Sequence, residues 1–144
     1  MQKIKVSLIG YGYWGSKLAR NFQNSNFFNI VSIIDTSQKN LSKAKKDFPL
    51  VRAFKSYKDI LKIKNTSLVV ISTPTKTHSQ IAKFALRNAK HVLVEKPLSL
   101  SVNDVSKLEN LAKKNKKLLF VDYPFLFSGS VNYIKKIIDT KKYG

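Results

Sequence analysis

Three of the chain's five glycines fall within six residues, at Gly10, Gly12 and Gly15 of "KVSLIGYGYWGSKLARNF". Glycine weakens a helix or strand interior by roughly 0.5–1 kcal/mol relative to alanine, so such a cluster needs a local reason. The run before it, Ile4–Ile9, is apolar at Ile4, Val6, Leu8 and Ile9 and reads as a strand. The stretch after it, Tyr13–Gln23, spaces Trp14, Leu18 and Phe22 four apart and reads as a helix. A strand that turns through G-x-G-x-x-G into a helix presents bare backbone N–H groups to an anion, and a phosphate suits that position. The cluster therefore restricts the chain to folds in which the carboxyl end of a strand feeds a helix.

The rest of the chain repeats that unit. Strand patterns recur at Ile30–Ile34, Val51–Phe54, Ser67–Thr73, His91–Pro97 and Leu118–Asp122. Helical patterns lie between them: from Asn40 or Ser42 to before Pro49, at Ser56–Lys62 and Thr77–Arg87, and from a Ser101 cap to about Lys114. Ser130–Asp139 places Val131, Ile134, Ile137 and Ile138 on one further helical face. "SLVVIST" is apolar on both faces, as a central parallel strand requires. The expected fold is α/β: a doubly wound, mostly parallel sheet with helices on both faces. No internal linker, repeat or low-complexity segment stands out along the chain.

Within that fold the glycines take separate roles. Gly10 allows the tight turn, Gly12 lets backbone approach a pyrophosphate, and Gly15 lets helix and strand pack closely. The N–H groups of Tyr13 and Trp14 then face the phosphates. Tyr11, Tyr13 and Trp14 could shield a cofactor, although Trp14 fits helix-to-sheet packing better. Asp35 stands twenty residues past Gly15, at the end of the second strand. A carboxylate there accepts from adenosine ribose hydroxyls and repels a 2′-phosphate. This favours NAD over NADP, while Thr36, Ser37 and Lys39 could accommodate a phosphate.

The chain has 144 residues and a formal net charge of +19, with no cysteine and two histidines. Cysteine nucleophiles, disulfides and thiolate metal sites are excluded, and no metal site is expected. The charge invites a nucleic-acid reading, but only Arg20, Arg52 and Arg87 supply guanidinium groups. Arginine carries most bidentate base and phosphate recognition, so a solvated lysine surface is expected and no specific nucleic-acid partner. No apolar run reaches the roughly 18 residues that span a bilayer, and the start does not read as a signal peptide. A cytoplasmic domain without a membrane partner is the expectation.

"TPTKTH" (Thr73–His78) and "KHVLVEKPLSLS" (Lys90–Ser101) resemble signature segments of the Gfo/Idh/MocA oxidoreductases. "GYGYWG" resembles that family's nucleotide loop, and "LFVDYPFLFSGSVNYIKKIID" resembles its stretch leading out of the nucleotide domain. The resemblance covers essentially the whole chain. It implies a dinucleotide-binding Rossmann domain over residues 1–122, with a connecting segment and helix over 123–144, from an NAD(P)-dependent sugar or polyol dehydrogenase, with Lys96 as the lysine near the nicotinamide and the substrate hydroxyl. It brings Thr73, Pro74, His78, Glu95 and Pro97 to the cofactor, and Pro97 could adopt a cis bond to Lys96. His91 reads as structural. The "DYPFLFSGS" segment is closer to members acting on nucleotide-linked or amino sugars. Where the family has glycine before K-H-V, this chain has Asn88-Ala89, and Asn88 is expected to take the left-handed position.

The resemblance also implies a second domain, absent from this chain, that supplies other catalytic groups and the homo-oligomer interface. Two functions follow: the cofactor domain of a sugar dehydrogenase, inactive when isolated, or a non-catalytic dinucleotide-binding module. In either case Phe125, Phe127 and the Ser130–Asp139 helix are expected to be bare, favouring self-association.

Overall fold

The computed structural model describes residues 2–141. Among these residues six strands form one sheet: β1 (Ile4–Ile9), β2 (Phe28–Ile34), β3 (Arg52–Phe54), β4 (Leu68–Ile71), β5 (His91–Glu95) and β6 (Leu119–Asp122). Every neighbouring pair is parallel, and the spatial order is β3-β2-β1-β4-β5-β6. The order reverses between β1 and β4. There the chain leaves adjacent strands toward opposite faces, which opens a crevice at the carboxyl ends.

Among the described residues five α-helices accompany the sheet: α1 (Tyr13–Asn24), α2 (Gln38–Asp47), α3 (His78–Arg87), α4 (Val102–Lys114) and α5 (Gly129–Asp139). Side chains alternate across the sheet, so each face has its own core. Val6, Leu8, Ile30, Ile33 and Val70 pack with Ala19 and Ala44, from α1 and α2. Ile9, Ile34, Val69, Ile71, Val92 and Val94 pack with α3 and α4 residues such as Leu86 and Leu108. A hydroxyl ladder crosses the buried middle: Ser32 Oγ donates to Ser7 Oγ at 2.8 Å, and Ser7 and Thr66 share a hydrogen bond at 2.9 Å. These polar groups satisfy one another, which removes the desolvation penalty they would otherwise carry.

Several local expectations change. α2 begins at Gln38 rather than at Asn40 or Ser42, because Ser37 caps it by accepting from the Asn40 N–H at 3.4 Å. The Ser56–Lys62 helix is a 3₁₀ helix, Tyr57–Lys62, started by Ser56 accepting from the Lys58 N–H. Ser101 occupies the N-cap position of α4, but its hydroxyl makes no capping bond.

Asn88 is not left-handed; Ala89 is, with φ 56°. The Lys90 N–H donates to Ala85 and the Ala89 N–H to Leu86, which is the Schellman closure, while Asn88 Nδ2 donates back to Phe84 at 2.8 Å. Hydrogen-bond register, rather than side-chain preference, selects the left-handed residue. Lys116, with φ 53°, repeats the motif at the end of α4.

Candidate functional site

The glycine loop is built as its spacing demands, for three different reasons. Gly10 has φ +93°, and a Cβ there would collide with the Ser72 carbonyl of the neighbouring loop. A Cβ on Gly15 would collide with the Gly10 carbonyl. Gly12 differs: its φ is −76°, and nothing lies within 4 Å of where its Cβ would stand. The space beside Gly12 opens into a cleft of about 960 Å³. Gly12 is also the N-cap of α1, where no side chain caps the helix. The N–H groups of the first turn have no intrahelical partners, and the helix dipole adds positive potential there.

The cleft runs along the carboxyl ends of the strands. Its walls include Gly10 after β1, Asp35 after β2, Lys55 after β3, Ser72 after β4 and Glu95 at the end of β5. Asp35 is held from three sides. Its Oδ2 accepts from the Tyr11 N–H at 2.7 Å and from Asn40 Nδ2 at 3.0 Å, and its Oδ1 accepts from the Ser37 N–H at 2.8 Å. A carboxylate has about four acceptor positions, so one is left for a ligand hydroxyl while the orientation is fixed.

The structure brings Gly10, Gly12, Tyr13, Trp14, Asp35, Thr36, Thr73, Pro74, His78, Glu95 and Lys96 together around this one cleft. Gly15 lies behind it, against Gly10. Pro97 is joined to Lys96 by a cis peptide bond, and its carbonyl faces the His78 ring. Thr77 Oγ1, 2.7 Å from both Thr73 Oγ1 and the Pro74 carbonyl, ties down the loop after β4.

Two aromatics of the loop depart from expectation. Trp14 does not pack between helix and sheet; it is 59% exposed at the mouth of the cleft, edge-on to Tyr13. The Lys17 ammonium stands 4.1 Å from the Tyr13 ring centroid and 4.7 Å from that of Trp14. Gly15 and Ala19 are the buried residues of α1, and their small size lets the helix sit close without a tryptophan between. Tyr11 does not shield the cleft. It is 1% exposed, and its hydroxyl donates to Asp47 Oδ2 at 2.7 Å, tying the glycine loop to the end of α2. Burial, then the Asp47 bond and charge, push its phenol far above the ordinary tyrosine value.

Sequence reasoning also missed residues. Asn40, Lys55, Ser56 and Tyr57 line the cleft wall on the Asp35 side, whereas Lys39 does not. The available signal was position: Lys55 and Ser56 follow the carboxyl end of β3, and that end faces the cleft. Asp122 is a second omission. It pairs in register with Glu95 across β5 and β6, which sets two carboxyl groups side by side. Burial first, and the Asp122 charge second, raise the Glu95 carboxyl above its ordinary value. The Lys96 N–H and ammonium and the nearby His78 ring pull it the other way. His91 is structural: its Nδ1 accepts from the Leu118 N–H at 3.0 Å, and burial and Lys117 lower its pKa.

Comparison with known proteins accords with this geometry. The model of an oxidoreductase family with an NAD-binding Rossmann fold, GFO_IDH_MocA, matches residues 4–123. The myo-inositol 2-dehydrogenase of Thermotoga maritima is 26% identical over 141 residues, covering 98% of this chain and 42% of that protein. The crystal structure of biliverdin reductase from Synechocystis, in complex with biliverdin and NADP+, superposes with a TM-score of 0.87 at 31% identity, over 94% of this chain and 43% of that one. The WlbA dehydrogenase of Bordetella pertussis, in complex with NADH and UDP-GlcNAcA, gives a TM-score of 0.91 at 25% identity, over 99% of this chain and 44% of that one. The chain spans well under half the length of the curated relatives compared, from 28 to 42%. With the matched family model lying over the glycine loop, Asp35 and the Lys96 turn, the chain belongs to the Gfo/Idh/MocA oxidoreductases and carries their NAD-binding Rossmann domain.

Proposed function

We propose that this chain is the cofactor domain of a sugar or polyol dehydrogenase and that it takes NAD in preference to NADP. The observation that carries the reading is the open space over Gly12 beside an oriented Asp35 carboxylate. These residues fit a dinucleotide: the α1 N-terminus would hold the pyrophosphate, and Asp35 would hold the adenosine ribose. The nicotinamide ring, when bound, supplies the hydride acceptor. Lys96, on the opposite wall, is the proposed catalytic residue; its ammonium holds the substrate hydroxyl and eases loss of that proton. Thr73, Pro74 and the Glu95–Pro97 turn shape the surrounding wall.

Preference for NAD follows from charge. A 2′-phosphate would stand against the Asp35 carboxylate, and Lys55, Thr36 and Ser37 are the neighbours available to offset that repulsion. The substrate class rests on the relatives, which include an inositol dehydrogenase and a dehydrogenase structure holding a UDP-sugar. In this reading residues 1–122 form the cofactor unit and 123–144 lead toward a substrate domain, through which the whole enzyme assembles with copies of itself.

Trp14 is the sole tryptophan and sits at the cleft mouth, so energy transfer from it to reduced nicotinamide reports binding directly. NADH is expected to quench Trp14 at lower concentration than NADPH. Asp35→Ala is expected to weaken NADH by about tenfold, roughly 1.4 kcal/mol, and to narrow the gap to NADPH. Unchanged NADH affinity in Asp35→Ala overturns the assignment of that carboxylate. A second reading, a non-catalytic dinucleotide-binding module, is favoured by the engagement of both His78 ring nitrogens with backbone, which leaves Lys96 and Glu95 as the cleft's ionisable groups on that side. Tight NADH binding, with no NADH formed from NAD and a panel of polyols by the longest form of the protein that can be expressed, supports that second reading.

A further inference from the structure

His78 opens α3 and is 1% exposed. Each of its ring nitrogens faces a backbone carbonyl oxygen: Nε2 lies 2.7 Å from that of Thr73, and Nδ1 lies 2.8 Å from that of Pro97. A neutral imidazole offers one N–H and one lone pair, whereas a carbonyl oxygen has only lone pairs. The neutral ring therefore makes one of these bonds and sets lone pair against lone pair in the other. A ring with hydrogen on both nitrogens makes both. Thr73 lies in the loop after β4 and Pro97 follows Lys96 after β5, so the two carbonyls belong to the two loops that wall the Lys96 end of the cleft.

We propose that His78 donates from both ring nitrogens and is the positioning residue for Lys96, strapping the turn after β5 to the loop after β4. The role in cofactor binding rests on the dinucleotide reading given above. Charge around the ring suits a donor at both ends. The Glu95 carboxyl at the end of β5 couples electrostatically to the ring, and Asp122 stands beside it on β6. The cations nearest in the chain are Lys96 after β5, Lys76 just before the ring and Lys83 on α3, while α4, packed on α3, brings Asp104 and Lys107. The N-terminal dipole of α3 opposes positive charge on the ring, and the two carbonyl dipoles with Glu95 offset it.

Nitrogen NMR of protein labelled with ¹⁵N-histidine reads the strap directly, because the chain has only two histidines. His91 is the internal reference: its Nδ1 accepts a hydrogen bond, so it retains one lone-pair nitrogen. The expected spectrum at neutral pH has two hydrogen-bearing nitrogens on His78 and one on His91. A lone-pair nitrogen on His78 overturns the double donation.

The positioning role is tested by titrating wild type, His78→Gln and His78→Ala with NADH and with ADP-ribose, which lacks the nicotinamide. His78→Gln retains a donor for one carbonyl, so its NADH affinity is expected to fall by about tenfold and that of His78→Ala by more. ADP-ribose is expected to change by less than about twofold. Equal losses for both ligands mean a general structural role and overturn the proposal. Should wild type bind neither ligand, the dinucleotide reading and the positioning role built on it both fall, while the nitrogen spectrum still decides the double donation.

Discussion

Gly12 and its two neighbours separate folding from binding within six residues. Gly12 has an extended backbone conformation and empty space beside it, so Gly12→Val is expected to cost only the roughly 1 kcal/mol of a poorer N-cap while reducing NADH affinity by about a hundredfold or more. Gly10→Ala is expected to cost at least about 2 kcal/mol of stability, from its positive φ and the Ser72 carbonyl together. Thermal melts with NADH titration on both variants check this, and a Gly12→Val as destabilised as Gly10→Ala would contradict the reading of that space as a ligand cradle. Glu95 supplies a pH test at the same scale. Its carboxyl is raised, first by burial and then by Asp122, so the folded state binds that proton more tightly than the unfolded chain does. Its contribution to stability therefore falls as pH rises from the ordinary glutamate range through the raised value, and then levels. In urea melts from about pH 4 to 8, the stability difference between Glu95→Gln and wild type should grow in favour of the variant as pH rises. A difference that stays flat refutes the coupling.

At the scale of elements, the βα units were legible because each carries its own signal: an apolar run, a turn, then a 3.6-residue period. The glycine loop and Asp35 were legible for the same reason, since their chemistry is local. Tyr11, Asn40, Lys55 and Asp122 were not, because their roles depend on which strands become neighbours. Asp122 meets Glu95 only once β6 pairs with β5, and Tyr11 meets Asp47 only once α2 packs beside the first turn. The helix ends show the same limit. Asparagine tolerates the left-handed region better than alanine, yet the Schellman bonds after α3 assign that region to Ala89. Ala89→Gly is therefore expected to stabilise the protein by about 0.5–1 kcal/mol, the relieved left-handed strain exceeding the entropy glycine adds to the unfolded chain. Asn88→Gly is expected to destabilise it, because the side-chain bond to Phe84 is lost at a residue with negative φ. Urea melts on the two variants distinguish these outcomes, and the opposite ranking would refute the assignment.

For the whole molecule, two surface properties oppose each other. α5 buries no residue, and around it Phe125 and Phe127 are each 73% exposed, with Leu126, Tyr133, Ile134 and Ile138 also exposed. Exposed apolar side chains clustered in one segment favour association. The chain's net charge of +19 opposes it, since copies repel over a distance set by the Debye length. That length is about 10 Å at 0.1 M salt and about 3 Å at 1 M, so salt removes the repulsion while leaving the apolar attraction in place. The expected outcome for this 144-residue chain is a mass in light scattering that rises with sodium chloride. Association driven by polyanion bridging would do the reverse and dissolve as salt is added. Phe127→Ser with Ile134→Lys is expected to abolish the rise, whereas Lys→Gln changes on α2, remote from the patch, should shift its onset to lower salt. A mass that stays monomeric across the salt range in the unmodified chain would show that the exposed face of α5 does not drive association.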